Sequence, residues 1–400
     1  MSAALLAALA ATTAVITASP AAALDAGDDA IRAKYAELGA TGPANGPLGP
    51  INPTADGGKF AEFAKWGTMV AITWRSDVGA HWFSGAIRAR WVDAGGADKW
   101  GHAAIDQEAT TGGFGAAVRY TSDISVYYSP STGAKALFGP VRGKYWQLGS
   151  VTGIAGFPIT DVQPDPAVAG GEFADFQNVM LSIYSSPATG AHWLSGAIRN
   201  RFRFHGSAAL GLPTSDQFAT AGADGNYVLF GPSRAIIYGP QTGAWLVADE
   251  FLDHLRALGD VADNGLPKNE RTPLEQRPTG SYQHFQFATI TASPETGVHS
   301  VAFQLRGEWW ARGGYVVEGL PISEEVFTDT GPDPVGNPTF TLSQSFENDF
   351  IECRYLYEVA TDTLFYNCDR FAAASTAESG AAGLKPVPAG QIPPALAGRL

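Results

Sequence analysis

Three histidines, His81, His192 and His299, each stand two residues after a glycine in a recurring turn, and Lys135 and Trp245 take the same place in two further copies. Imidazole side chains suggest a metal site, but a zinc site needs three or four ligands converging on one ion. These histidines fall in separate segments, and no close group of His, Cys or Asp accompanies them. No metal or other cofactor is expected, and a strand-surface role or hydrogen bonding to sugar hydroxyls fits better. Aromatic residues flank the same turns: Trp74, Tyr128, Tyr184, Tyr238 and Tyr357 before them, Trp82 and Trp193 after them. Alternate side chains of a half-buried strand face outward. Some of these rings could therefore stack on sugar C–H groups while Tyr O–H and Trp N–H groups bond hydroxyls. Packing against a neighbouring copy is the alternative, and recurrence favours it, because every interface must be filled. The candidate glycan contacts are thus Trp74, His81, Trp82, Tyr128, Tyr184, His192, Trp193, Tyr238, Trp245 and His299.

Charged residues offer less. Arg32, Arg88, Arg142, Arg199 and Arg306 stand near the starts of helix-like segments, where a cation opposes the helix dipole. They are expected to be structural and paired, with Asp161, Asp216 and Glu324 as candidate partners. The 39 Asp and Glu residues supply many possible pairs of the kind glycosidases use, but nothing singles out one, and no catalytic residue is assigned. Asp56-Gly57-Gly58 and Asp224-Gly225-Asn226 read as turns, since the twelve-residue calcium-loop spacing is absent. The Gly-x-Ser-x-Gly elbow of serine hydrolases does not occur.

The elements that must hold these residues emerge when the chain is aligned with itself. A decamer recurs from Ala30, Ala86, Pro140, Ala197, Glu250 and Gln304, with apolar residues four apart, such as Ile31 with Tyr35 and Ile87 with Trp91. Each copy is a short helix closing on Gly, the residue best suited to a left-handed cap. A Gly and Pro signature follows, centred on Gly49, Gly101, Gly156, Gly211, Gly265 and Gly319, at intervals of 52, 55, 55, 54 and 54 residues. In four copies it reads Gly156-Phe-Pro158, Gly211-Leu-Pro213, Gly265-Leu-Pro267 and Gly319-Leu-Pro321, and these residues are expected to be structural. A variable loop then delivers Gly and an aromatic: Gly58 and Phe60, Gly113 and Phe114, Gly171 and Phe173, Gly225 and Tyr227, Gly280 and Tyr282. Two β-rich runs meet at a turn such as SPATG from Ser186, which reads as a hairpin with a five-residue connection.

The expected fold is therefore α+β and β-rich, a ring-like or propeller-like array of about six units, each a helix plus a small antiparallel sheet. The units are residues 30–85, 86–139, 140–196, 197–249, 250–303 and 304–370, within a domain at 24–370. A unit of this size cannot bury its own apolar face, so neighbours must complete it. The 47 Gly and 26 Pro are the same turns and caps written repeatedly, and 45 Phe, Trp and Tyr supply core.

Residues 1–23 carry no charge and end in Ala21-Ala22-Ala23, as a cleaved secretory signal does. Their apolar stretch is shorter than the roughly 20 residues of a membrane span. Residues 371–400, rich in Ala, Gly and Pro, read as a flexible tail. A net charge of -13 with 26 basic residues excludes a phosphate-tracking surface, so no nucleic acid partner is expected. Cys353 and Cys368 are the only cysteines, and a hairpin turning between Ala360 and Thr361 would set them opposite one another as a disulfide in an exported chain.

On Ala155-Gly156-Phe157-Pro158, Leu210-Gly211-Leu212-Pro213 and the run from Ser186 to Arg199, the sequence resembles the LGFP repeat family. The resemblance covers nearly the whole chain after residue 24. It implies an exported protein of the mycolic-acid-containing actinobacteria, associated with the cell wall or cell surface. It further implies binding to cell-wall polysaccharide, arabinogalactan or peptidoglycan. In that family the repeats accompany mycoloyltransferase or amidase domains, yet no stretch here is left over for one. A non-catalytic, monomeric glycan-binding protein is the expectation. A glycan-hydrolysing enzyme with carboxylates on a ring axis and an adhesion protein for other envelope proteins are the alternatives.

Overall fold

A computed structural model describes residues 25–39, 46–65, 67–110, 114–368 and 385–387. The expected signal peptide and most of the expected tail lie outside the described residues. The described chain forms six antiparallel sheets, five of four strands and one of five, with short helices between them. It divides into two compact units. One runs to Ala109 and includes Ala116–Val126; the other comprises Thr110–Gly115 and the chain from Tyr127 onward.

In the first unit, helix Ala26–Glu37 opens on Asp25, whose carboxylate accepts from the Gly27 backbone N–H and caps the helix. Strands Asn52–Pro53, Lys59–Lys65, Thr68–Arg75 and Gly79–Ser84 follow as a meander. Ile31 packs from the helix onto Ala61, Phe63, Val70 and Ile72 of this sheet. Helix Gly85–Asp93 comes next, then a four-residue turn of helix, Ala97–Trp100, and strand Glu108–Ala109 paired with Ala116–Arg119.

The second unit repeats the pattern with helices Gly139–Gln147, Gly196–His205, Glu250–Ala257 and Phe303–Ala311. Its cores straddle copies. Tyr184 and Leu194 of one sheet meet Ile198 and Phe202 of the next helix and Val228 and Ile236 of the next sheet. Ile237, Phe251, Leu255, Phe285 and Ile290 repeat the arrangement one copy on. Each helix is thus sealed between the sheet before it and the sheet after it. This is the nearest-neighbour dependence that a unit too small to fold alone requires.

Glycine dictates where each helix ends and where each signature turns. The six decamer glycines, Gly39, Gly95, Gly149, Gly206, Gly259 and Gly313, all have positive φ, and so do Gly101, Gly156, Gly211, Gly265 and Gly319 of the signature. An L side chain is costly there. The signature carbonyl is also a hydrogen-bond acceptor for the helix before it: Tyr145 O–H donates to Gly156, and Trp91 and Trp309 Nε1–H donate to Gly101 and Gly319, while in the first copy Tyr35 O–H donates to Gly46, three residues before Gly49, all at 2.8–3.2 Å. Pro158, Pro267 and Pro321 then bridge to Phe176, Phe285 and Phe346.

Several details differ from the sequence reading. Between helix and signature stands a further helical turn, as at Ser207–Leu210 and Asp260–Asn264, too short to leave a periodic signal. The hairpins pair the first and last residues of the five-residue motif, Ser186 with Gly190 and Ser293 with Gly297, so only three residues lie between paired positions. In the second copy the loop glycine is Gly115, whose added Cβ would fall 2.3 Å from the Tyr128 carbonyl, and Ala117 stands where the other copies carry the aromatic. Phe114 is exposed instead.

The last sheet contains strands Val326–Pro332, Pro338–Ser345, Phe350–Glu358 and Thr363–Asn367. Arg354 pairs with Asn367, which sets Cys353 against Cys368, and the two form the expected disulfide. Within the segment read as a tail, Lys385–Pro386 adds a fifth strand on Phe365 and Tyr366, and Val387 is buried.

Candidate functional site

The recurring histidines sit at the ends of hairpins, and each is held from both sides. Nε2–H donates to a carbonyl in its own turn: His81 to Val78, His192 to Thr189 and His299 to Thr296, at 2.9–3.0 Å. Nδ1 faces a carboxylate five residues after the signature glycine of the next copy: Asp106 at 3.0 Å, Asp216 at 3.2 Å and Glu324 at 2.7 Å. The carboxylate also reaches a basic side chain on an earlier helix, Lys34 for Asp106 and Lys144 for Asp216, both at 3.1 Å, and His254 for Glu324 at 3.5 Å. The aspartates take the backbone N–H of Trp82 or Trp193 as well, and Gln107 and Gln217 beside them accept from Ser84 and Ser195. Burial would raise the Asp106 carboxyl, but His81, Lys34 and the Trp82 N–H outweigh it and hold the group below the usual range.

Where His is lost the geometry survives. Trp245 Nε1–H donates to the Thr242 carbonyl, and the Arg201 guanidinium lies 4.3 Å over its ring while pairing with Glu270 at 3.1 Å. At Lys135 the acid contact is kept through Ala136 N–H donating to Asp161. These residues tie a helix, a hairpin and the following copy together.

The predicted aromatics are placed accordingly. All ten candidate glycan contacts are buried or half-buried. Trp74 and Trp82 pack on the first core, and a Cβ on Gly27 would lie 2.7 Å from the Trp74 ring. Tyr184 is buried opposite His192, one register step from Trp74 and Tyr238, and so faces inward. Tyr238 packs on the same core, while Tyr128 and Trp193 are half-buried. Tyr357, also picked out before a turn, donates its hydroxyl to Asp362 at 2.5 Å.

Arg88, Arg199 and Arg306 take other partners than Asp161, Asp216 and Glu324. Arg88 makes a bidentate pair with Glu62 at 2.7 and 2.8 Å. Arg199 reaches Asp175 at 3.2 Å, Arg306 donates to the Phe285, Gln286 and Ala288 carbonyls, and Arg142 lies 3.8 Å over Trp146. The helix therefore leans its arginine back onto the preceding sheet, while the acids expected to meet it bind the hairpin instead.

Between helix and preceding sheet lie grooves which sequence reasoning missed. In the first unit a cavity of about 280 Å³ is lined by Phe60, Glu62, Arg88, Trp91 and Gly96. In the second a cavity of about 350 Å³ is lined by Phe173, Asp175, Phe202, Arg203 and Ser207. The residues correspond position by position: Phe60 with Phe173, Glu62 with Asp175, Trp91 with Phe202. Arg203 adds a bidentate contact to Asp175 at 2.6 and 2.8 Å. Burial would raise the Asp175 carboxyl, but Arg203, Ser182 and Arg199 together hold it low. A third cavity, of about 280 Å³, lies at Asp263, Ser300, Phe303, Glu324 and Glu325. Among the described residues no group of His, Cys, Asp and Glu could hold a metal ion, and no helix is long and apolar enough to cross a membrane.

The LGFP repeat family model matches residues 46–98, 156–209, 210–262 and 265–315. No curated protein matches the chain in sequence. One solved structure, "Crystal Structure of Mitotic Checkpoint Complex", matches over 81% of this chain and 79% of its own at 8% identity. Its TM-score is 0.12, so it says nothing about this fold.

Proposed function

Because the chain belongs to the LGFP repeat family, we propose that it is an exported, non-catalytic protein that binds cell-wall glycan of the arabinogalactan type. In this reading it acts as a monomer at the cell wall or cell surface. The observation that carries the reading is repetition itself: one helix-and-sheet module recurs six times along the described chain. Weak contacts linked on one scaffold gain roughly 10² to 10⁴ in avidity without any deep pocket. Of the ten turn-flanking residues, Trp82, Trp193 and Tyr128 suit sugar contact best, being half-buried rather than enclosed. His81, His192 and His299 are best assigned to holding the hairpins. The test is retention of the purified chain on insoluble arabinogalactan and on peptidoglycan. Binding to either supports the reading, and loss of the chain in the wash of both defeats it.

A second reading, glycan hydrolysis, is favoured by one feature. Burial, with the neighbouring Glu324 charge, pushes the Glu325 carboxyl up to about 8, beside a cavity that also holds Asp263. A carboxylic acid kept protonated is what a general acid requires. Release of reducing sugar in the same retention assay, abolished by Glu325→Gln, would put this reading ahead of the first.

A further inference from the structure

We propose that the grooves at Phe60–Glu62–Arg88 and Phe173–Asp175–Arg203 are related subsites, each taking one neutral sugar ring. The aromatic and the acid stand at matching positions, and the guanidinium is supplied from Arg88 in one and from Arg203, one helical turn further on, in the other. The proposal rests on the glycan-binding reading above and moves its site away from the hairpin turns.

Both grooves combine an aromatic wall with a carboxylate and guanidinium locked together. Phe60 meets Trp91 edge-on at 5.8 Å; Phe173 stacks on Tyr184 at 5.4 Å, and Tyr184 meets Phe202 at 5.0 Å. An aromatic wall suits the C–H face of a sugar. Each Glu62 oxygen keeps a second lone pair after its arginine bond. In the second groove Asp175 Oδ1 already meets Arg203, Arg199 and Ser182, and Oδ2 is the oxygen with capacity left, while the guanidiniums keep further N–H donors. Adjacent hydroxyls, each both donor and acceptor, can use these groups together. In the first groove both members are within reach of solvent, Glu62 at 27% and Arg88 at 21% exposure; in the second Arg203 is the open member at 38% and Asp175 lies beneath it at 11%. A neutral ring suits both grooves: the first pairs Arg88 with Glu62 and carries no net charge, whereas the second sets Arg199 and Arg203 on Asp175 and disfavours a cation. Volumes of about 280 and 350 Å³ lie at the lower end of ligand pockets, roughly 300–1,000 Å³, and suit one ring rather than an oligosaccharide.

The later copies of the second unit show what the groove becomes when the set is broken. In one, Leu229 stands at the acid position and Leu252 at that of Arg88 and Arg199, while Arg256 matches Arg203. In the next, His284 replaces the acid while Arg306 keeps the arginine position and donates to backbone carbonyls, and the Trp310 ring lies 5.8 Å from His284 and 6.2 Å from Tyr282. The aromatic wall is kept in both copies, but the paired charges are not. Packing alone therefore does not require the acid, and its retention beside a guanidinium in two grooves points to a shared ligand.

A neutral hydroxyl-rich ring could belong to arabinogalactan or to the glycan strands of peptidoglycan, so the full chain is measured on surfaces coated with each, and with dextran sulfate as a polyanion. The Phe60→Leu, Phe173→Leu double variant keeps apolar bulk but removes both rings. Loss of a linked pair of subsites predicts retention on the preferred neutral polymer reduced at least a hundredfold. Retention within about threefold of wild type, or tighter binding to dextran sulfate than to either neutral polymer, overturns the proposal and leaves the glycan-binding reading standing. Failure of wild type on both neutral polymers overturns both. If the double variant does not fold, hydroxyl-radical footprinting of the wild-type chain decides. Protection of Phe60 and Phe173 by bound polymer supports the grooves, and unchanged labelling of both in the bound state refutes them.

Discussion

The signature glycines offer a controlled experiment inside one chain. Gly211 and Gly265 both have φ of 76°, so replacement by Ala forces the same left-handed backbone on an L residue. That alone costs about 1–2 kcal/mol. Their surroundings differ. A Cβ on Gly211 meets nothing within 4 Å, whereas one on Gly265 falls 2.5 Å from Gln286 Cβ and 3.2 Å from its Cα. Gln286 cannot retreat, because its backbone N–H donates to Leu266 and its Oε1 accepts from the Leu266 N–H. Overpacking of this kind adds about 1–3 kcal/mol. Gly211→Ala is therefore expected to cost about 1 kcal/mol from φ alone, and Gly265→Ala about 3 kcal/mol from φ and clash together. With a urea dependence of about 3 kcal/mol per molar, the unfolding midpoints fall by about 0.3 M and about 1 M. Equal shifts, or a larger loss for Gly211→Ala, would refute the argument that close approach adds to the backbone term.

Three further outcomes follow from the same physics. Asp249 adopts φ of 54° at the position where Gly85, Gly139 and Gly196 have 56–58°, so Asp249→Gly should raise the urea midpoint by the equivalent of about 0.5–1 kcal/mol. The Cys353–Cys368 bridge closes a loop of 15 residues, and its reduction should cost about 3 kcal/mol, read as loss of hydrogen-exchange protection in strands Phe350–Glu358 and Thr363–Asn367. Glu325 titrates near 4.5 unfolded and about 8 folded, so between those values the folded chain holds the extra proton and stability falls as pH rises. Urea midpoints at pH 5 and pH 8 should differ less in Glu325→Gln than in wild type, and an unchanged difference would remove Glu325 as the cause.

The repeat was legible in the sequence because its key residues act through their own backbone. A glycine needed at positive φ is visible wherever it recurs, and all six helix-closing glycines and five of six signature glycines have that conformation. The disulfide was legible for a similar reason, since an even hairpin fixes its own register from Glu358 with Thr363 back to Arg354 with Asn367. Partners set by tertiary packing were not. Nothing in the spacing of Arg88 announces Glu62, which is 26 residues earlier and on the sheet beneath the helix. Asp216 looked like a partner for arginine because it follows the signature, but the turn delivers it to His192 and Trp193. In the second copy, competing glycines in one loop hid the one at which the backbones meet, Gly115. The grooves were invisible for the same reason as the arginine pairs that line them.

The central claim, several equivalent shallow glycan sites on one chain, is tested most directly by calorimetric titration of the intact protein with a soluble arabinogalactan-derived oligosaccharide. The account predicts weak binding with at least two oligosaccharides per chain. One tight site per chain, or no heat of binding at all, would contradict it.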